Sequence, residues 1–143
     1  MSIEKYRTAI IACGKIGRVH ARGWLGVAGQ PTEIGAIADT NAEALNEFGQ
    51  FFGVGGDHRY ADYREMLERE KPDIAVIARH WFDDGRVEEL LAALEAGVNG
   101  VFAEKTIAAW PHQAWLLRQT AADRGVPVVL AHRSREHPTM QEI

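Results

Sequence analysis

Two glycines, Gly14 and Gly17, follow a run of apolar residues in the segment RTAIIACGKIGRVHARGWLG, residues 7–26. With Ala12 at the first position, they match two of the three glycines of the G-x-G-x-x-G pattern. This pattern needs a tight turn after a strand, a residue without Cβ where the backbone meets a diphosphate, and a small residue where helix packs on strand. Gly14 and Gly17 meet the last two needs, so the loop predicts a diphosphate-binding site.

The residues after this loop have the spacing of an amphipathic helix. Backbone N–H groups at its start, near Ile16 to Arg18, would hold a diphosphate, which makes Lys15 and Ile16 candidate binding residues. Ala12 departs from the pattern at the turn. An alanine there costs little if its φ is negative and strains the loop if its φ is positive.

An acidic residue, Asp39, ends the second apolar segment, 22 residues after Gly17. At this spacing a carboxylate would accept hydrogen bonds from the adenosine ribose of a dinucleotide, and its charge would repel a 2′-phosphate. Because Asp-Thr-Asn stands here without an arginine, NAD is favoured over NADP. The alternative is that Asp39 caps the helix beginning near Ala42, for which Thr40 and Asn41 have at least an equal claim.

Glu104 and Lys105 end another apolar segment, residues 99–105. In open α/β sheets, ligands lie beyond the carboxyl ends of the strands. A lysine at this position therefore has a reason to meet the reacting end of a bound cofactor. The alternative is an ordinary surface lysine at a strand end, which is a frequent arrangement.

The elements that must position these residues are short apolar segments that alternate with helix-spaced segments. Their near-continuous hydrophobicity is typical of parallel strands covered on both faces. A weaker strand is predicted near residues 57–60. Repeated β-α units with right-handed crossovers predict an α/β fold, a doubly wound and mainly parallel Rossmann sheet with strand order 3-2-1-4-5-6. The stronger segments are residues 8–13, 33–39, 73–79, 99–105 and 127–132.

Helical spacing also predicts which faces pack. Trp110 and Trp115 are both expected to pack as part of a helix face, and His20 is expected to pack rather than to bind a metal. For the first helix the packed face is predicted to comprise Ile16, Val19, Gly23 and Val27.

Composition excludes several classes of protein. Sixteen Lys and Arg against twenty Asp and Glu give a net charge of −4, which disfavours nucleic acid and anionic membranes as partners. There is no signal-like or membrane-spanning apolar run, so a cytoplasmic protein is expected. The lone Cys13 excludes an intrachain disulfide and is expected to fill a small site at a strand end. The six histidines form no H-x-x-x-H pair or compact cluster, so no metal is expected.

Four segments together resemble the N-terminal NAD(P)-binding domain of the Gfo/Idh/MocA oxidoreductase family, which includes glucose-fructose oxidoreductase and inositol dehydrogenase. They are AIIACGKIGRVHA, AIAD, ALEAGVNGVFAEKTIA and HRSREHP. The resemblance covers about residues 5–138. It implies a dinucleotide-binding domain over residues 1–133 and a tail, residues 134–143, that leads into a separate C-terminal α/β domain. It also implies hydride transfer on a sugar- or polyol-like hydroxyl.

Carried over residue by residue, the resemblance makes Gly14 and Gly17 the loop glycines and Asp39 the acid that binds ribose. Lys105 matches the lysine of the family's E-K-P motif, which helps to bind substrate and assists proton transfer. An ammonium there can stabilise a developing alkoxide. Glu104 would orient that lysine or lie near the nicotinamide ribose.

The chain departs from the family pattern at four places. Ala12 replaces the first glycine, and Thr106 replaces the proline of E-K-P. The stretch ARHWFDDGR replaces T-P-x-x-x-H along the nicotinamide side, where His80 and Trp81 are candidate substitutes. The catalytic D-x-x-x-H motif of the family's C-terminal domain does not occur in residues 1–143. The chain by itself is therefore expected to be catalytically incomplete.

Three hypotheses about function remain open from the sequence. The first is the NAD-binding domain of an NAD-dependent oxidoreductase whose partner is a small sugar or polyol. The second is a standalone nucleotide-binding or regulatory module without catalysis. The third is a Rossmann-like scaffold in which Ala12 spoils the loop for dinucleotides. Self-association into a homo-oligomer is open in each, since an isolated domain of this family would expose apolar surface.

Overall fold

The computed structural model describes residues 5–26, 31–79 and 84–132. In these residues the chain forms a six-stranded parallel sheet with the order β3-β2-β1-β4-β5-β6, which confirms the predicted doubly wound fold. The strands are Tyr6–Ile11 (β1), Thr32–Ala38 (β2), Arg59–Tyr60 (β3), Ile74–Ile77 (β4), Gly100–Ala103 (β5) and Val128–Leu130 (β6). The helices are Lys15–Leu25 (α1), Ala42–Phe52 (α2), Tyr63–Glu70 (α3), Asp84–Glu95 (α4) and Pro111–Arg124 (α5).

The weaker strand predicted near residues 57–60 is the two-residue β3. A single 3₁₀ turn, Gly56–His58, precedes it, so only Arg59 and Tyr60 pair with β2.

The sheet is covered on both faces, as its apolar strands predicted. Successive residues of β1 point to opposite sides: Ala9 and Ile11 belong to one core cluster and Ile10 to the other. Helices α3, α4 and α5 contribute to the first cluster, and α1 and α2 to the second. The central strands therefore have no solvated face, and their carboxyl ends are the part of the sheet that a ligand can reach.

The helix ends show which residue caps α2. The side chain of Asn41 accepts hydrogen bonds from the N–H groups of Glu43 and Ala44, each at 3.0 Å. Asn41 is therefore the N-cap, and Asp39 is left to another role. Gly125 is the C-cap of α5 and has a φ of 65°, the left-handed conformation expected of a C-cap glycine.

The packed face of α1 differs from the predicted one. Ile16 packs against a core cluster, as predicted. The fully buried residues, however, are Gly17 and Ala21, whereas Val19 is 52% exposed and Gly23 is exposed. Val27 lies outside the described residues. A Cβ at Gly17 would lie only 2.1 Å from the carbonyl oxygen of Ala12. The helix lies so close to the preceding loop that only small residues fit on the side that faces this loop. The spacing of apolar residues in the sequence does not predict such a close approach.

The prediction that Trp110 and Trp115 pack was also wrong, because they are 61% and 62% exposed. Trp110 precedes the helix in an extended conformation, with φ −123° and ψ 144°, so helical spacing does not apply to it. Trp115 lies two residues before the buried Leu117, which places it about 200° around the helix axis and therefore on the outer side.

The described helices were also compared with the length and apolarity that a membrane span needs. Over residues 5–26, 31–79 and 84–132, none of them meets both requirements.

Candidate dinucleotide-binding site

A cleft of about 490 Å³ opens at the carboxyl ends of β1, β2 and β4. This is the point where the strand order reverses, because β1 leads to β2 on one side and lies next to β4 on the other. Ligands of open α/β sheets bind at such a point. Five of the predicted binding residues line the cleft: Ala12, Gly14, Lys15, Ile16 and Asp39.

Gly14 is the N-cap residue of α1, and nothing in the described protein requires it to be glycine. Its φ is −70°, and a Cβ built on it meets no heavy atom within 4 Å. Gly14 also has no side chain with which to cap the N–H groups of the first turn. A glycine there keeps the backbone open to the cleft, as a diphosphate at a helix N-terminus requires.

Ala12 takes a φ of 77°, so the strained alternative for this position is the one realised. Its N–H donates to the carbonyl of Ala38 at 2.9 Å, which ties the loop to the end of β2. Left-handed backbone costs an alanine about 1–2 kcal/mol but costs a glycine almost nothing. The loop therefore keeps the turn of the glycine pattern without its first glycine.

Replacing Ala12 with glycine is expected to raise the free energy of unfolding by about 0.5–1 kcal/mol, because relief of the strain exceeds the entropy cost of glycine. Urea unfolding followed by circular dichroism measures this. Ala92→Gly in the middle of α4 is the matched control and is expected to lose about 1 kcal/mol. A loss of stability in Ala12→Gly would contradict the left-handed assignment.

Asp39 links the loop after β1 to the loop after β2 at one end of the cleft. Its Oδ2 accepts a hydrogen bond from the N–H of Cys13 at 2.7 Å, and its Oδ1 accepts one from the N–H of Asn41 at 2.8 Å. Two backbone donors thus fix the plane of the carboxylate. Each oxygen retains acceptor capacity for a ligand hydroxyl.

Cys13 lies in the loop after β1, and its side chain is fully buried, as predicted for a packing residue. Burial, together with the negative charge of Asp39, raises the pKa of its thiol to about 12. The side chain therefore stays a neutral thiol at physiological pH and is a poor nucleophile.

Glu104 and Lys105 follow β5, outside the lining of the cleft. The Oε1 of Glu104 lies 2.9 Å from Nε2 of His20 on α1, and both side chains are nearly buried. Lys105 is exposed, and in the described parts of the chain no hydrogen bond or ion pair to its ammonium is found. The carboxylate of Glu104 is therefore paired with His20.

Sequence reasoning missed two charged residues in the cleft, Arg79 and Glu89. The Nε and Nη2 of Arg79 lie 2.8 Å and 2.7 Å from the same Glu89 oxygen, and the Glu89 side chain is 2% exposed. A signal was present, because Arg79 comes two residues after the end of β4, at the edge where ligands bind. The residues predicted for this loop, His80 and Trp81, lie outside the described residues.

Comparison with known proteins places this geometry in a family. The sequence model of an oxidoreductase family with an NAD-binding Rossmann fold, GFO_IDH_MocA, matches residues 6–132. A D-apiose dehydrogenase of Paraburkholderia graminis is 29% identical over 142 residues, which cover 99% of this chain and 36% of that protein.

Solved structures share the fold at lower identity. Scyllo-inositol dehydrogenase of Lactobacillus casei, with bound NAD(H) and scyllo-inositol, superposes with a TM-score of 0.84 at 19% identity and covers 97% of this chain and 39% of its own. The WlbA dehydrogenase of Bordetella pertussis, in complex with NADH and UDP-GlcNAcA, gives 0.84 at 24% identity and covers 97% and 40%.

This chain spans well under half the length of each of these relatives. The shared part is the region that carries the glycine loop, Asp39 and the six-stranded sheet. The chain therefore belongs to the Gfo/Idh/MocA oxidoreductase family, of which it represents the NAD-binding Rossmann domain.

Proposed function

We propose that this chain binds NAD across the cleft and serves hydride transfer between the cofactor and a sugar- or polyol-like hydroxyl, as an NAD-dependent oxidoreductase. The observation that carries the proposal is Asp39, whose carboxylate is held by two backbone N–H groups beside an open glycine loop. The diphosphate would lie against the first turn of α1, near Gly14, Lys15 and Ile16. The adenosine ribose would lie at Asp39.

The charges at the adenosine end support NAD over NADP. Asp39 would repel a 2′-phosphate, and Thr40 next to it lines the cleft without a charge. Arg79 is a guanidinium in the same cleft, but Glu89 holds and neutralises it. A 2′-phosphate would therefore meet an anion at Asp39 and an arginine whose charge is already balanced.

Lys105 is the residue that we propose for the chemical step. When bound, NAD accepts or supplies the hydride. The Lys105 ammonium would lie at the substrate oxygen, stabilise the developing alkoxide and move a proton to or from it. The D-x-x-x-H motif is absent from residues 1–143, so these residues supply the cofactor site and Lys105 but not that pair of groups.

Three of the relatives support a proposal about the substrate class. The three relatives described above are named for D-apiose or scyllo-inositol or hold UDP-GlcNAcA, and all of these molecules carry several hydroxyl groups. We accordingly propose a polyhydroxylated substrate. We also propose that the dinucleotide-binding domain spans residues 1–133 and that residues 134–143 are a tail outside it.

Calorimetric titration with NAD and with NADP tests the cofactor site. We expect tighter binding of NAD, and we expect Gly14→Val to weaken it by about 10- to 100-fold, because the new side chain fills the space of the diphosphate. Stability should change by no more than about 1 kcal/mol, since a Cβ at Gly14 meets no protein atom.

Gly23→Val is the matched control for this titration. Gly23 lies on the same helix, and a Cβ there also meets nothing within 4 Å, but it does not line the cleft. NAD affinity should be unchanged in this variant. Equal affinity in Gly14→Val and the unmodified chain would contradict the proposed site, and binding of neither nucleotide to the unmodified chain would favour the scaffold hypothesis.

A further inference from the structure

The loop that carries Lys105, residues 104–106, is called the lysine loop below. It leaves β5 with the N–H of Glu104 bonded to the carbonyl of Ile77 at 3.0 Å. Lys105 and Thr106 are exposed. The position of the Lys105 backbone therefore depends on what holds the two ends of this loop.

The first end is held by α1. Nε2 of His20 lies 2.9 Å from Oε1 of Glu104, and the two side chains are 11% and 13% exposed. A carboxylate can only accept, so Nε2 must donate, in the neutral ring as well as in the charged one. The imidazole is itself fixed, because its ring packs edge-on against Phe102 of β5 at 5.1 Å between centroids.

The second end is held by α4. Arg86 lies in the first turn of this helix and is fully buried. Its guanidinium donates to the carbonyl of Thr106 and to the carbonyl of Arg79. One side chain thus joins the loop after β5 to the loop after β4. A buried guanidinium is costly unless it is well bonded, so its use here indicates an anchor for these backbone groups.

These two anchors come from opposite faces of the sheet. Residues of α1 pack in one core cluster and residues of α4 in the other. His20 therefore contacts the lysine loop from the side of α1, and Arg86 contacts it from the side of α4. Without them, a lysine with a long flexible stem on an exposed loop would sample many positions.

We propose that His20 and Arg86 are positioning residues that hold the lysine loop between α1 and α4 and so place the Lys105 ammonium at the nicotinamide end of the bound cofactor. This inference rests on the proposed function of Lys105. A displacement of about 1 Å at a reacting group can cost about 100-fold in rate, so fixing the loop has a direct chemical consequence.

The chain offers a clean spectroscopic probe of this loop, because it contains only four lysines: Lys5, Lys15, Lys71 and Lys105. Reductive methylation with ¹³C-formaldehyde labels each of them for NMR, and Lys105→Arg identifies the Lys105 signal. Addition of NADH to the unmodified chain is expected to shift that signal. In His20→Phe, which keeps a ring against Phe102 but loses the hydrogen bond, the shift should fall by about half or more.

Three further variants separate positioning from general damage. His20→Gln retains a donor and should restore most of the shift, and His112→Gln on the exposed face of α5 should leave it unchanged. Arg86→Lys should reduce the shift as His20→Phe does. If Arg86→Lys does not fold, the His20 variants decide the question. NADH affinity in His20→Phe should stay within about threefold, because the proposed diphosphate and ribose contacts are elsewhere.

The outcomes separate this inference from the function on which it rests. A full Lys105 shift in His20→Phe with NADH bound would overturn the inference. So would NADH binding to the unmodified chain without any Lys105 shift, although the cofactor site would then stand. If NADH does not bind at all, the proposed function fails. Hydrogen exchange in the cofactor-free chain then tests whether His20 holds the lysine loop in place. The Glu104 amide donates to Ile77 at the start of the loop. Exchange at this amide that is about tenfold faster in His20→Phe supports the proposed anchoring of the loop, and unchanged exchange overturns it.

Discussion

Replacing Gly17 with alanine is expected to lower the free energy of unfolding by about 3 kcal/mol, at the upper end of the cost of overpacking. A Cβ at this position would lie 2.1 Å from the carbonyl oxygen and 3.2 Å from the carbonyl carbon of Ala12. Both are backbone atoms in a loop that already has a left-handed residue, so neither can move aside cheaply. Helix α1 would have to shift away from β1, and NAD binding would be lost with it. Urea unfolding and NAD titration measure the two effects.

Gly23→Ala on the same helix is the control for this prediction. A Cβ at Gly23 meets no heavy atom within 4 Å, and alanine is a better helix former than glycine by about 1 kcal/mol. The control should therefore be neutral or slightly stabilised. Similar stability for Gly17→Ala and Gly23→Ala would show that the close approach of α1 to the loop is not as the structure has it.

Lowering the pH from 6 to 2 is expected to reduce the free energy of unfolding by about 3 kcal/mol through the protonation of a single residue, Glu70. This nearly buried carboxylate, at the end of α3, accepts hydrogen bonds from Arg7 at 2.8 Å, Tyr60 at 2.6 Å and His58 at 2.8 Å. Burial by itself raises its pKa, but the hydrogen bonds from Tyr60, His58 and Arg7 outweigh burial and lower the pKa to about 2. The hydrogen bond between Tyr60 and Glu70 is the main cause that raises the pKa of Tyr60 to about 12, and burial of Tyr60 is the second cause.

The direction of the acid effect follows from the lowered pKa. The folded protein holds Glu70 ionised down to about pH 2, whereas the unfolded chain protonates it near 4.5. The stabilisation is therefore complete above pH 4.5 and is lost as the pH falls toward 2. The test compares the free energy of unfolding of the unmodified chain with that of Glu70→Gln at several pH values. Their difference should shrink by about 3 kcal/mol between pH 6 and pH 2.

Glu33 provides a control on the same arginine. Its carboxylate lies 4.0 Å from Nε of Arg7 and its side chain is 44% exposed. An exposed ion pair of this kind contributes little, so Glu33→Gln should change stability by less than about 1 kcal/mol. The difference between the unmodified chain and Glu70→Gln staying constant with pH would contradict the arrangement around Glu70.

The strand order was predictable because little of it depends on detailed packing. Short connections and right-handed crossovers leave few ways to arrange alternating strands and helices, and the glycine loop after β1 favours one of them. The packed face of α1 was not predictable by the same means. Apolar spacing favoured Val19, whereas the close approach to Ala12 required the small residues Gly17 and Ala21.

The residues of the candidate site also fall into those that the sequence predicted and those that it did not. Gly14 and Asp39 could be singled out because the chemistry of a diphosphate and a ribose requires particular residue types a set distance apart in the chain. Whether Ala12 is strained could not be read from its identity, because φ depends on how the turn meets the end of β2. Arg79 and Glu89 were missed because each is an ordinary charged residue until the packing of α4 beside β4 brings the two together.

The sequence by itself determined the fold class, the place of the glycine loop and the acid that follows it, because these depend on local spacing and on the periodicity of strands and helices. Only the tertiary structure decided that His20 pairs with Glu104, 84 residues away, and that Glu70 gathers Arg7, His58 and Tyr60. Such pairs join elements on different strands and helices, and no local preference of either residue specifies its partner. They form because the packing of the sheet and its helices buries these polar groups beside one another, and a buried polar group needs a hydrogen-bond partner.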